Sequence, residues 1–495
     1  MIDSNVTKAG AVLTIDLDAL CDNWRLLRRQ AEGAECAAVV KADAYGLGAE
    51  RVAPALYRAG CRSFFVAHLT EGIRLRAVLP DQTAMIYVLH GPHPGSEREF
   101  VRSRLIPVLN SLPQVKAWQT LAQWEEGVLP AVLQVDTGMA RLGLSEDEFA
   151  SLIAHPALLD GLALQFVMSH LVSAEAQHDP VNRRQLARFE AALAQLPGMR
   201  GSLANSSGIF LGGEYHFGLF RPGAALYGVA PVAGQANPMR PVIRLQGKVL
   251  QTRRVDAGTA VGYGHSWMAC RPSRLATVAV GYADGYLRSL SNRGLARYED
   301  VPLPLVGKVS MDTIIVDVTD VPEARIVEGA FVDLADPING VDAVAERAGT
   351  IGYEILTSLG RRYVRNYIEG GRRMLPCEAG SANFFIDPFG EVYPCNGLEE
   401  KYWQKSMGNI HETPDFMNIW ESDRAQEVRA MVRKCPKNCW MVGTASPVMH
   451  KYMKYPLRWA LRNKLRSLRG KPASLDKKWC DVGQDPMQGD LREKF

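Results

Sequence analysis

The chain has 495 residues, enough for two to four domains, and its 47% apolar and 22% charged content is that of ordinary globular protein. No run of about eighteen apolar residues occurs, so no transmembrane helix is expected, and the opening MIDSNVTKAG lacks the pattern of a secretory signal. The net charge is +4, but residues 450–471 hold eight Lys or Arg and no acid; without them the balance is −4, so the basic character belongs to the tail and predicts no nucleic-acid binding.

In chain order, residues 12–15 alternate like a strand, and Asp16 opens a helix with Leu17, Leu20, Trp24 and Leu27 on one face. The pattern repeats: strand 37–40, helix 50–58, strand 63–67, helix 71–78, strand 85–89. Alternating β and α units predict a parallel sheet with covering helices, and they persist to about residue 235. An eight-unit barrel and an open doubly wound sheet both fit that periodicity. From about residue 241 the helical units give way to short β-runs at 242–249, 275–279, 314–318 and 331–334, which predict a mostly β second domain.

Several stretches carry chemistry. AVVKADAYG (38–46) places Lys41 at a strand end, where an α/β barrel presents reactive groups and an amine can form a Schiff base with a carbonyl cofactor. QVDTGMARLG (134–143) carries Arg141, a planar cation suited to bidentate bonding of an anion. MSHLVSAE carries His170 after an apolar strand, ANSS carries Asn205 and Ser206, and FRPGAALYG carries Arg221 and Gly223. Hydroxyls and small-residue turns of that kind suit a phosphate. GLGAER (46–51) lacks both the third glycine of a dinucleotide loop and the GK[ST] ending of a P-loop. The second half adds VGYGHS with Tyr263, VGYADGYLR, GKVSMD with Met311, and IGYEILTSLGRRYVRNY with Tyr353.

Taken together, and in this order, these blocks resemble the alanine racemases over about residues 10–369. The resemblance implies an N-terminal (β/α)8 barrel over 1–238 and a β-rich domain over 239–371. It implies pyridoxal 5'-phosphate on Lys41, surrounded by Tyr45, Arg141, His170, Asn205, Ser206, Arg221, the amide near Gly223, and Tyr353. It makes Lys41 and Tyr263 the two catalytic bases, with Arg141 and the Met311 amide binding the substrate carboxylate. Tyr263 would be reached across a homodimer interface, and the substrate would be a small amino acid, alanine first, with serine or a pathway-specific amino acid as alternatives. A non-catalytic docking protein of a peptide-biosynthesis complex is the alternative outside enzymology. One departure stands out: the family usually has a lysine, modified to a carbamate, where this chain has Gln134. Its carbonyl can still accept a hydrogen bond from Arg141 but carries no negative charge, so an altered rate or substrate preference is expected, not a different reaction class.

Arg221 bears on reaction type. Arginine does not release its proton in proteins, so it cannot protonate a ring nitrogen as an acid would. A weaker electron sink favours proton removal and return over transamination.

Nine cysteines without a signal point to reduced thiols or metal ligands and to a cytoplasmic location. Cys21, Cys36, Cys61 and Cys270 are expected to be packed. Cys377, Cys395, Cys435 and Cys439 lie among IDPFGEVYPCNG, MGNI and CPKNCW, which resemble the SPASM or twitch module of radical S-adenosylmethionine proteins. The resemblance implies that this module, over 372–445, holds one [4Fe–4S] cluster on four thiolates; zinc accepts the same set and is the alternative. No CxxxCxxC core occurs, so the chain is not expected to cleave S-adenosylmethionine. Residues 416–432 are predicted as an amphipathic helix. In the tail, 446–495, Leu457, Leu461, Leu465 and Leu468 form a stripe among basic residues. Docking on its own protein is favoured there over a membrane surface or an acidic partner.

Overall fold

The structure is a computed structural model that describes residues 9–30, 33–79 and 83–359, with short pieces at 385–386, 391–393, 408–409, 418–419 and 422–427. The chain divides into two compact units, 1–372 and 373–495.

The first unit holds a parallel barrel. Strands Ala38–Val39, Ser63–Val66, Met85–Val88, Ile106–Leu109, Leu129–Gln134, Leu162–Met168 and Gly201–Ser202 pair in chain order. Leu219–Phe220 closes the ring: it pairs in parallel with Glu35–Cys36, and Gly218 and Arg221 donate to the carbonyls of Gly201 and Ala204 at 3.0 and 2.9 Å. Glu35–Cys36 runs on into Ala38–Val39, so eight strands complete the circle and decide for the barrel over an open sheet. Strand Ser63–Val66 (SFFV) is buried at all four positions, as a strand covered on both faces must be.

Local chemistry sets the covering helices. The Asp16 side chain accepts the Ala19 amide at the start of Leu17–Arg29, whose Leu20, Trp24 and Leu27 are buried as the periodicity predicts. Ser145 and Glu148 form a reciprocal cap on Glu146–Ala154. Asp179 caps Pro180–Ala194, which buries Phe189.

The first predicted β/α unit departs from expectation. Strand Ala11–Ile15 stays outside the barrel and pairs antiparallel with Ile243–Val255. Its burial falls on the adjacent Val12 and Leu13, while Ala11, Thr14 and Ile15 are only partly covered. The 13-residue strand Ile243–Val255 is the spine of a second, antiparallel sheet, with Ser273–Val278 and Phe331–Ala335 also on it. Leu295–Tyr298, Val301–Pro304 and Ile314–Asp317 extend the sheet, and a bridge between Leu305 and Val316 brings its ends together. Helices Val341–Ala348 and Gly352–Leu359 follow.

Cys21, Cys36 and Cys61 are buried and free, but Cys270 is exposed, against expectation. It lies in the turn between Trp267–Met268 and Ser273–Val278, where no core covers it.

In the second unit, Phe385–Ile386, Glu391–Tyr393 and Gly408–Asn409 form a small antiparallel sheet. The helix predicted over 416–432 is interrupted: the Ser422 hydroxyl accepts the Ala425 amide at 3.1 Å and caps a fresh turn, while Ile419 before it is buried. The four cysteines at 377, 395, 435 and 439 and the tail at 446–495 lie outside the described residues. Among the described residues no helix is long and apolar enough to cross a membrane.

Candidate active site

Lys41 follows strand Ala38–Val39 directly, at the C-terminal end of the barrel. The turn it opens is left-handed: Ala42, Asp43, Ala44 and Tyr45 have φ of 51°, 55°, 54° and 55°. Residues with a Cβ resist that conformation by about 1–2 kcal/mol each, so outside contacts must hold it. Glu71 on helix Leu69–Val78, after the neighbouring barrel strand, supplies them. One carboxylate oxygen accepts the Ala42 amide at 2.7 Å, and the other accepts Ala67 at 2.7 Å and His68 at 3.0 Å. Asp43 in turn accepts the Ala49 amide at 2.9 Å, and the Tyr227 hydroxyl donates to the Val39 carbonyl at 2.9 Å. Burial and the neighbouring Arg141 charge push the Lys41 amine below its ordinary pKa, against a smaller opposing effect of Glu71. A larger neutral, nucleophilic fraction at neutral pH follows.

Tyr45 ends the turn, buried, with its ring 4.8 Å from that of Tyr227 and 6.1 Å from that of Tyr353 on helix Gly352–Leu359. Burial pushes both the Tyr45 and Tyr353 phenols up, so each keeps its hydrogen for donation. A Cβ on Gly223 would overlap the Tyr45 hydroxyl, so only glycine lets the phenol close on this backbone. The Ser206 hydroxyl accepts the amides of Gly223 at 2.9 Å and Ala225 at 3.2 Å. That leaves its own hydrogen to donate to an anion. Asn205 instead caps the turn at Gly208, accepting its amide at 2.8 Å. Two phenols, a hydroxyl and a small-residue turn make a neutral donor cradle that fits a phosphate.

Arg221 is fully buried. Its guanidinium donates to the Ser202 carbonyl at 2.7 Å and also meets the Ser202 hydroxyl and the Ser169 carbonyl. Burial pushes it down to about 9, which still leaves it cationic at neutral pH. His170 follows strand Leu162–Met168, and its carbonyl accepts from Gln185 at 2.9 Å. Gln185 also donates to Thr137 at 3.2 Å and accepts the Val172 amide at 2.9 Å, locking the His170 segment to the Arg141 loop. Burial, then Arg221, Arg141 and Lys41, push His170 down to about 3, so it is a neutral ring.

The Arg141 loop is built on Asp136, whose carboxylate accepts the amides of Gly138, Met139 and Ala140, each at 2.8 Å. Among the described residues the Gln134 carbonyl accepts no hydrogen bond from Arg141. The Gln134 amide donates to the Leu142 carbonyl at 3.0 Å.

Tyr263 and Met311 are not gathered with this group. Tyr263 lies on the turn Tyr263–His265 beside the second sheet, 69% exposed, and Met311 is 53% exposed. Glu71, Asp136 and Gln185 escaped sequence reasoning. Only Asp136, followed by Thr-Gly, carries a local turn signal.

The alanine racemase N-terminal domain matches residues 15–231, and the alanine racemase C-terminal domain matches residues 242–367. An iron-sulfur cluster-binding domain matches residues 377–441. The chain is 52% identical over 367 residues to the alanine racemase of Rhodospirillum rubrum, covering 74% of this chain and 97% of that one. It is 50% identical over 374 residues to the catabolic alanine racemase of Agrobacterium fabrum, covering 76% and 96%. Among solved structures, alanine racemase from Bartonella henselae with covalently bound pyridoxal phosphate superposes with a TM-score of 0.70 at 47% identity, covering 73% of this chain and all of that one. The enzyme from Streptomyces coelicolor gives 0.69 at 31% identity, covering 74% of this chain and all of that one. This chain belongs to the alanine racemase family.

Proposed function

We propose that this protein interconverts L- and D-alanine by two-base proton transfer at a site shared between two copies of the chain. The observation that carries this is the split already described. A depressed lysine amine, a buried cation and a phosphate cradle are assembled on the barrel, while Tyr263 stands exposed on the second sheet.

Pyridoxal phosphate bound there supplies an electron-withdrawing system that acidifies the substrate's α-hydrogen. Lys41 would hold it through its amine, with Tyr45, Tyr353 and Ser206 donating to the phosphate and the neutral His170 packing on the ring. Arg221 would face the ring nitrogen; it keeps its proton, which limits electron withdrawal and suits proton removal and return. Arg141 and the Met311 amide would bind the substrate carboxylate and orient the α-carbon. A racemase must serve both faces of that carbon. Lys41 serves the D-isomer, and Tyr263 of the partner subunit serves the L-isomer. Each base takes a proton from one face while the other delivers one opposite.

At the other end of the chain, Cys377, Cys395, Cys435 and Cys439 are read as the shell of one [4Fe–4S] cluster; the match over 377–441 spans all four. Four protein thiolates leave no open iron position, so the module is assigned an accessory role apart from racemisation.

Exchange of the α-proton of L-alanine in D2O, followed for product chirality, tests the reading. Deuterated D-alanine is expected from the full-length protein supplied with pyridoxal phosphate, and none from Lys41→Ala. Absence of exchange from the cofactor-loaded wild type would reject it.

A further inference from the structure

Tyr263 has to be aimed, yet little in its own turn aims it. The side chain is 69% exposed. Gly262 and Gly264 on either side take positive φ, 73° and 66°. The turn's own bond is a single one, from the His265 amide to the Gly262 carbonyl at 3.2 Å. The turn tips a short hairpin in which Val261 pairs with Trp267, so its two ends are held to each other, while its register against the Met311 segment has to be set from outside.

Asn292 sets it. It lies between the turn Arg288–Leu290 and strand Leu295–Tyr298, at φ 56°, a conformation asparagine accepts more readily than most residues. Its Oδ1 accepts the Gly307 amide at 2.6 Å, and its Nδ2 donates to the Ser266 carbonyl at 3.1 Å. Its backbone amide donates to the Gly307 carbonyl at 3.1 Å. The partners fix the carboxamide's orientation, since the amide is a donor and the carbonyl an acceptor. Ser266 closes the Tyr263 turn, and Gly307 opens the segment that carries Met311. Next door, the Ser291 hydroxyl accepts the Val309 amide at 3.0 Å and ties the same segment again.

We propose that Asn292 is a positioning residue whose carboxamide locks the Tyr263 turn to the Met311 segment, so that the two groups lent to the partner's site arrive in register. The proposal rests on the two-base reading above. It adds an asymmetry: Lys41 is held by Glu71 within the barrel and does not depend on Asn292, whereas Tyr263 does.

That asymmetry can be read in D2O with D-alanine. Lys41 removes the α-proton and can return a deuteron to the same face, breaking C–H and forming C–D with retention. Inversion needs a deuteron delivered to the opposite face by the partner's Tyr263.

Asn292→Gly tolerates the positive φ and deletes the carboxamide. Asn292→Asp keeps the acceptor toward Gly307 but turns an acceptor on the Ser266 carbonyl. In the full-length protein, either change is expected to slow inversion by about tenfold or more, the size of one lost hydrogen bond at its upper range, while retention exchange stays within about twofold. As a readout independent of turnover, 3-fluorotyrosine at position 263 should give a shifted or broadened 19F resonance in Asn292→Gly. Loss of inversion and retention in parallel, or an unchanged resonance with unchanged inversion, would overturn the clamp. Tyr263→Phe separates the two levels. If it inverts alanine normally, the base reading fails. If it is inactive while Asn292→Gly inverts normally, only the clamp fails.

Discussion

The Glu71 carboxylate accepts the Ala42 amide at 2.7 Å while its second oxygen accepts the amides of Ala67 and His68. One side chain thereby binds the turn of Lys41 to the end of the neighbouring barrel strand. Because four successive residues in that turn are left-handed, the conformation is supported from outside the segment.

Replacing Glu71 tests that support. Glu71→Ala leaves the three amide hydrogens without their acceptor, at a cost of about 1–3 kcal/mol for each that water does not reach. The expected result is a fall in kcat of roughly tenfold or more, with a smaller change in KM, because an amine displaced by a fraction of an ångström still binds but transfers poorly. Glu71→Gln keeps one carbonyl acceptor and should fall between Ala and wild type. Steady-state kinetics on the three proteins decide it; an unaltered kcat for Glu71→Ala would show that the turn supports itself.

Gly223→Ala should weaken pyridoxal phosphate binding, because the added methyl overlaps the Tyr45 hydroxyl. Removing that hydroxyl relieves the overlap only partly, since the ring carbon bearing it would still lie 3.1 Å from the new Cβ. The Gly223→Ala/Tyr45→Phe double variant is therefore expected to bind more tightly than Gly223→Ala and less tightly than wild type. Absorbance titration with the cofactor measures all three.

Much of this site was legible from residues in order, and the exceptions share one cause. Asp16 announces its helix because a cap acts within a few residues of itself. The SFFV stretch announces a strand by its apolar run. The left-handed turn after Lys41 is not announced, because Glu71, which holds it, lies 29 residues further along. Gln134 is similar: its amide finds the Leu142 carbonyl only because the loop returns past the strand. The break at Ser422 had a local signal, a serine that can cap, but the apolar spacing of Phe416, Ile419, Trp420, Val428 and Met431 outweighed it.

His170 predicts a pH dependence of stability. Its folded-state value is held down to about 3 from 6.5, chiefly by burial. Between those values the unfolded chain takes up a proton that the folded one refuses, so stability is whole above 6.5 and is lost as pH falls toward 3. His170→Asn, in protein stripped of cofactor, should show a smaller drop in melting temperature between about pH 7.5 and about pH 5 than wild type does. An equal drop in both would assign the pH dependence to other groups.

The cysteine module makes a separable prediction. Anaerobically purified full-length protein should contain about four iron and four sulfide per chain, and Cys395→Ser should lose most of both. Racemisation should stay near wild type, since the module is assigned no part in it. One zinc and no sulfide would replace the cluster by a structural metal.

The central claim is that Lys41 of one copy and Tyr263 of the other complete a single site, and subunit mixing tests it most directly. Lys41→Ala and Tyr263→Phe chains, each inactive alone, are co-expressed in equal amounts with distinct tags, and racemisation is measured in the pool. A two-fold dimer with shared sites predicts recovery of about a quarter of wild-type activity, because half the dimers are mixed and each carries one intact site. No recovery, from mixed dimers shown to form, would mean that both bases must come from one chain, and the shared site would be wrong.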